Sequence, residues 1–204
     1  MAKTGHLDKY AQLFHDKMSQ TDPLLQAILV GHLIIETALD NILAVVFFHP
    51  EHVFREAKLS FAQKVHVVRA YGLRKDDNSM WNMILTVNTV RNELAHNLEG
   101  EKKDARLQKL RDLFIAEATD EMRRSLEKDG KSLEEMPNPV IAVLSCSLCT
   151  GFLSSYEEDV TSLRGILDAI DEGMNPDHER VRPKTVAEAK AKPKRGGQPE
   201  RAAD

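Results

Sequence analysis

The sequence predicts an all-α protein, a bundle of five or six helices built on one core. Three observations lead there. Apolar residues recur three and four apart in successive stretches from Leu24 to Ile170, which places them on one face of a 3.6-residue helix. Start and stop signals bracket those stretches: Asp22-Pro23, Ser60 with Gln63, Gly72, and Asn138-Pro139. A chain of 204 residues with 42% hydrophobic content is long enough to bury one sizeable core. No internal repeat is evident.

Residues 6 to 19 read as a short amphipathic arm with Leu7, Tyr10, Phe14 and Met18 on one side. Asp22 then offers a cap and Pro23 a first helical position, starting a long helix expected to reach about Phe48. That helix is apolar nearly all round, from Leu24 and Ile28 to Leu43 and Phe47, so it belongs at the centre of the bundle or in an interface. His32, Glu36 and Asp40 interrupt it every fourth residue as a polar stripe. Two readings of the stripe stay open. One is a solvated edge with an ion pair between His32 and Glu36. The other sets Glu36 or Asp40 opposite a functional groove, where a carboxylate can orient an imidazole or restrain a guanidinium. A metal site is not read here, because two ligands a turn apart lack the third and fourth that zinc requires.

His49-Pro50-Glu51-His52 ends the long helix in a loop. Ser60 and Gln63 match a capping box opening a helix that Gly72 closes, with Val65, Val68 and Tyr71 inward and Lys64, His66 and Arg69 in solvent. Residues 74 to 79 are a polar connection. Beyond Gly100 a charged helix from about 101 to 128 turns Leu107, Leu110, Phe114, Ala118, Met122 and Leu126 inward, and Asp129-Gly130 breaks it. Asn138 as cap and Pro139 as first residue start the last helix, whose apolar seam runs from Ile141 to Ile170 and suits the core or a second subunit. Cys146 and Cys149 lie on its flank and read as two buried free thiols. From Asn175 onward the periodicity stops, and the polar, basic, Pro- and Gly-rich end is expected to be disordered, a solubilising tail or one that guides RNA.

The helix between these elements carries the chemistry. Asn78 or Ser79 can cap its start, and Met80, Met83, Val87, Val90 and Leu94 form one apolar stripe. At roughly 100° per residue, Asn88, Arg91, Asn92 and His96 fall on an arc beside that stripe. Trp81 reads as a core or dimer anchor. Arg91 and His96 lie about 140° apart around an ideal helix, so they flank a site the size of a phosphate. Arg offers a planar fork of donors to phosphate oxygens, and His exchanges a proton near neutrality. The pair suits phosphodiester chemistry, in which an RNA 2′-hydroxyl attacks its own phosphorus without a required metal. The bland alternative is a surface Arg and a helix-terminal His that stabilises the helix dipole.

Arg91-Asn92-Glu93-Leu94-Ala95-His96, ending a helix, resembles the R-x4-6-H signature of the HEPN superfamily of short helical bundles. The resemblance implies a homodimer whose two motifs face each other, and a metal-independent endoribonuclease with Arg91, His96 and Asn92 as catalytic residues and no cofactor; helical spacing adds Asn88, and the polar stripe Glu36 and Asp40, as supporting residues. With the periodicity read above, the chain divides into a HEPN-like helical domain over 1–173 (motif core about 22–98, helical extension 101–173) and a disordered basic tail over 174–204. Some toxin members continue as R-x4-H-x-Tyr, whereas position 98 is Leu98 here, which sets this chain apart from that Tyr-modified class. A noncatalytic dimer that binds RNA or a protein partner, as a defence or repressor subunit, is the second expectation, since a fold does not fix an activity.

Composition narrows the field. Net charge is −4; residues 176 to 204 hold 8 Lys or Arg against 5 Asp or Glu, so the remainder stands at −7. A generic nucleic-acid binder has a basic body, so RNA, if it is the substrate, meets a local site, and DNA lacks the reacting hydroxyl. Two cysteines exclude a disulfide framework and fit a reducing compartment. MAKTGHLDKY lacks a secretory hydrophobic region and no uninterrupted apolar run spans a bilayer, so a cytoplasmic protein without membrane contact is expected. Phosphate-loop, dinucleotide, zinc-protease and nucleophile-elbow motifs are missing.

Overall fold

The computed structural model describes residues 22–72, 78–96, 101–126, 132–179 and 181–192, without the side chains of His96, Glu101 and Lys102. The arm expected over 6–19, Leu98 and the end of the tail from residue 193 lie outside the described residues. Among these, the regular structure is helical: α1 (Pro23–Val46), α2 (Phe61–Ala70), α3 (Met80–His96), α4 (Glu101–Glu117), α5 (Asp120–Leu126), α6 (Asn138–Met174) and α7 (Val186–Lys190), with a π-helical turn at His52–Ala57 and a 3-10 turn at Leu133–Glu135.

α1 begins as its sequence implies, with Asp22 Oδ1 accepting the Leu24 amide at 2.9 Å and Pro23 in the first turn. The segment read as a loop after it instead winds into the π-helical turn, which Lys58 ends in the left-handed region at φ 48°. The Ser60–Gln63 capping box forms and opens α2. Asn78 Oδ1 accepts the Met80 amide at 2.8 Å, so Asn78 caps α3, and the Ser79 hydroxyl turns to Glu117.

α1 and α6 run side by side in the same direction, with Gly31 against Cys146 and the Val45 carbonyl oxygen accepting from Arg164 at 3.0 Å. A Cβ on Gly31 would lie 2.3 Å from Cys146 Sγ, so glycine is what allows that approach. α3 packs among α1, α2, α4 and α6. Its stripe of Met80, Met83, Val87, Val90 and Leu94 is buried throughout, and each such side chain contributes about 1.5–3 kcal/mol of transfer free energy. Trp81 is a core residue, edge-on to Phe152 and Tyr156 at 5.0 and 5.5 Å.

Three expectations need correction. The single helix over 101–128 is two, because Thr119 starts a new one: its Oγ1 accepts the Met122 amide, and Arg123 takes the carbonyl of Ala118. Asn138 does not cap α6; its Oδ1 accepts from Arg111, which also holds the carbonyls of Leu133, Glu134 and Met136 and so fixes the loop before the helix. The tail is not wholly disordered: residues 181 to 192 lie back on the bundle with α7, where Ala189 is fully buried, Lys184 reaches Glu51 and Lys190 reaches Asp40, both at 2.7 Å. Ion pairs, one small buried anchor and the Thr185–Glu188 capping box order a helix too short to show a period in the sequence. By length and composition α1 and α6 are each long and apolar enough to cross a membrane, with mean hydropathies of 1.7 and 1.5 over the richest stretch; half of that stretch in α1 is buried inside the bundle, as in the core helix of a globular protein.

Candidate functional site

The apolar stripe of α3 turns its opposite edge, Asn88, Arg91 and Asn92, toward α1 and solvent. Asn88 is half-buried, and its Oδ1 accepts from His32 Nε2 at 3.0 Å. An amide oxygen only accepts, so the proton of the imidazole sits on Nε2. The other side of the ring stacks on Phe61 of α2 at 4.3 Å between centroids. One histidine thereby ties α1, α2 and α3 together. Burial holds its pKa below the ordinary value; Asn88 and Glu36 oppose that, and the charges of Arg91 and Lys64 reinforce it. His32 is therefore a neutral, hydrogen-bonded imidazole at pH 7, not one half of the solvated pair with Glu36.

One turn on, Arg91 is half-buried and Asn92 exposed, with Arg91 Nη1 donating to Asn92 Oδ1 at 3.0 Å. This contact presents a guanidinium and an amide as one donor surface at the end of α3, where an anion can replace the amide oxygen as acceptor. Glu93, on the far side, faces Arg106 of α4 at 3.5 Å. His96 is the last residue of α3, and its imidazole lies outside the described side chains. Its backbone therefore ends the same helix that the His32–Asn88 bond holds against α1.

Glu36 and Asp40 take another route. Lys64 Nζ donates to Glu36 Oε1 at 2.8 Å and lies 2.7 Å from Asp40 Oδ1, while Lys190 binds the second oxygen of Asp40. Asp40 is 4% exposed and Lys64 9%. Lysines thus hold both carboxylates that the sequence offered to the Arg91 groove. Burial alone would lower the Lys64 pKa, but its bonds to Asp40 and Glu36 outweigh that and leave it raised. Sequence reading put Lys64 in solvent. Lys64 shares the helical face of Phe61, Val65 and Val68, which buries its stem, and the carboxylates of Glu36 and Asp40 keep its head group there instead of in water.

Asn88, Arg91 and Asn92 thus share one edge of α3, Asn88 tied to His32 and Arg91 to Asn92, while Lys64 holds Glu36 and Asp40. Among the described residues no group of three or more His, Cys, Asp or Glu is placed to hold a metal ion. A groove of about 620 Å³ between α1 and α6, lined by Ala27, Val30, Gly31, Ile34 and Gly151 among others, occupies the other side of α1 from His32 and is separate from this cluster. Compared with known proteins, the chain matches no family model, no curated protein and no solved structure.

Proposed function

We propose that the protein is a metal-independent endoribonuclease of HEPN type, acting in the cytoplasm as a homodimer whose two RNELAH segments form one composite site. The observation that carries the reading is the joined Arg91–Asn92 donor surface, at the end of a helix whose opposite face is wholly buried and whose edge His32 holds through Asn88. In this mechanism His96 removes the proton of a ribose 2′-hydroxyl, O2′ bonds to the adjacent phosphorus, and the P–O5′ bond breaks. Arg91 stabilises the negative charge of the phosphorane, Asn92 orients phosphate or imidazole, and the partner copy's imidazolium returns a proton to the 5′-oxygen. The products are a 2′,3′-cyclic phosphate and a 5′-hydroxyl.

The test is incubation of labelled mixed RNA, and DNA of the same sequence, with wild type, Arg91→Ala and His96→Ala in excess chelator. Expected are cyclic-phosphate ends from wild type only and intact DNA, with losses of about 100-fold or more in each variant. Undiminished cleavage by either variant removes that residue from the mechanism. A second reading, a noncatalytic dimeric module that binds RNA or protein as a defence or repressor subunit, draws on the charge of −7 over residues 1 to 175, which disfavours phosphate-rich substrates. Under it, wild type and both variants leave the RNA whole.

A further inference from the structure

The groove between α1 and α6 opens at the point where the chain enters the bundle. Pro23, the first residue of α1, lines one end of it and Ile34 the other, and α6 lines the facing side from Val143 to Ser154. Each side is about three helical turns long, or 16 Å at the α-helical rise. The rims are apolar and open to water, with Val30, Ile34 and Val143 50, 48 and 51% exposed. Between them the floor is low, because Ala27, Gly31 and Gly151 carry a methyl group or nothing, and a Cβ on Gly151 would meet no atom within 4 Å. None of the described residues that line the groove is charged, which leaves a phosphate or a charged peptide nothing to pair with there.

Length and position single out an occupant within the same chain. Residues 1 to 21 precede the groove, and among them Leu7, Tyr10, Phe14 and Met18 share one side of a helical period while Lys9 and Asp16 fall on the other. From Leu7 to Met18 is the same three turns that the groove spans. Only Ser19, Gln20, Thr21 and Asp22 separate Met18 from Pro23, a connection of the length that joins two antiparallel helices. A hairpin that short fixes the register. It sets Met18 beside Pro23, Phe14 over Ala27, Tyr10 over Gly31 and Leu7 beside Ile34, so the two aromatic rings meet the two smallest residues on that side. The tether also ranks the competitors: a segment joined by so short a linker is present at an effective concentration of about a millimolar, whereas a second copy or a free ligand arrives from dilute solution. The chain's basic end, 193 to 204, has no large apolar side chain to offer. We propose that residues 6 to 19 fold back antiparallel to α1 as an amphipathic helix and fill the α1–α6 groove with Leu7, Tyr10, Phe14 and Met18. The groove lies on the other side of α1 from His32, so this stands independently of the ribonuclease reading.

The experiment keeps the full chain and introduces one reporter thiol, either in the groove by Val143→Cys or farther along the same helix by Ile170→Cys. The two positions are equally exposed in the bundle, at 51 and 52%, and both native thiols are buried. Reaction with a maleimide is expected to be about tenfold or more slower at position 143 than at 170, at a ratio independent of protein concentration. Tyr10→Asp with Phe14→Asp should release the arm and remove the difference, with the native thiols still protected because the bundle stays folded. Lys9→Asp, on the far side of the arm, should leave the difference in place. Equal rates at the two positions in a chain with the natural arm overturn the proposal, and so does protection at 143 that Tyr10→Asp with Phe14→Asp leaves intact. Protection that grows with protein concentration overturns it as well, since a second copy would then be the occupant.

Discussion

His32 joins three helices through a ring stacked on Phe61 and a hydrogen bond donated to Asn88, so its ionisation bears on the stability of the whole motif helix. Burial is the main reason it titrates below its ordinary value of 6.5. As pH falls the unfolded chain therefore takes up this proton before the folded one does. The contribution of His32 to stability is complete above about pH 6.5 and is lost as pH drops from there through the folded value. Urea unfolding of wild type and His32→Phe across this range should show wild type losing stability relative to the variant in acid. At pH 8 the variant should be about 1 kcal/mol the less stable, having left Asn88 without its donor. Curves that stay parallel would mean that His32 takes up no proton differentially. The identity of this tie was not legible in sequence. Spacing showed that His32, Glu36 and Asp40 share a face, but helical period says nothing of what stands opposite, and here the stripe divides between Asn88 of α3 and Lys64 of α2.

For the elements, local signals were read well wherever a cap or an apolar period was present: Asp22 and Pro23 start α1, Ser60 and Gln63 start α2, and Asn78 starts α3. They failed where a distant partner decides. Asn138 has the composition of a cap but serves Arg111, and the stretch around α7, although the Thr185–Glu188 capping box starts the helix locally, is held on the bundle by Lys184 on Glu51 and Lys190 on Asp40. The α1–α6 contact offers the sharpest test. Gly31→Ala should cost about 1–3 kcal/mol by forcing the two helices apart. Cys146→Ala should not rescue it, because the new methyl would still lie 2.6 Å from the Cβ at position 146. Cys146→Gly should restore part of the loss, less about 1 kcal/mol for glycine inside a helix. Denaturant titration of the double variant decides the matter: costs that simply add would show that the two positions do not compete for space.

For the whole molecule, one apolar core runs through α1, α2, α3, α4 and α6 and encloses both thiols. Burial pushes Cys146 up to about 12, and burial with the neighbouring thiol raises Cys149 further. The thiolate is the reactive form. A thiol reagent at pH 8 should therefore label neither cysteine in the native protein and both in urea, at a rate that follows global opening. Fast labelling of native protein would place one of them at the surface. By itself the sequence determined the helical class, most helix starts, the buried stripe of α3 and the segment that bears Arg91, Asn92 and His96. Each of these rests on interactions within a few residues, or on a periodicity that burial imposes whatever the partner. Only the tertiary structure decided which polar groups meet. Lys64 finds Glu36 across 28 residues and Lys190 finds Asp40 across 150, and no local preference encodes a contact whose two halves the chain brings together only when the core forms.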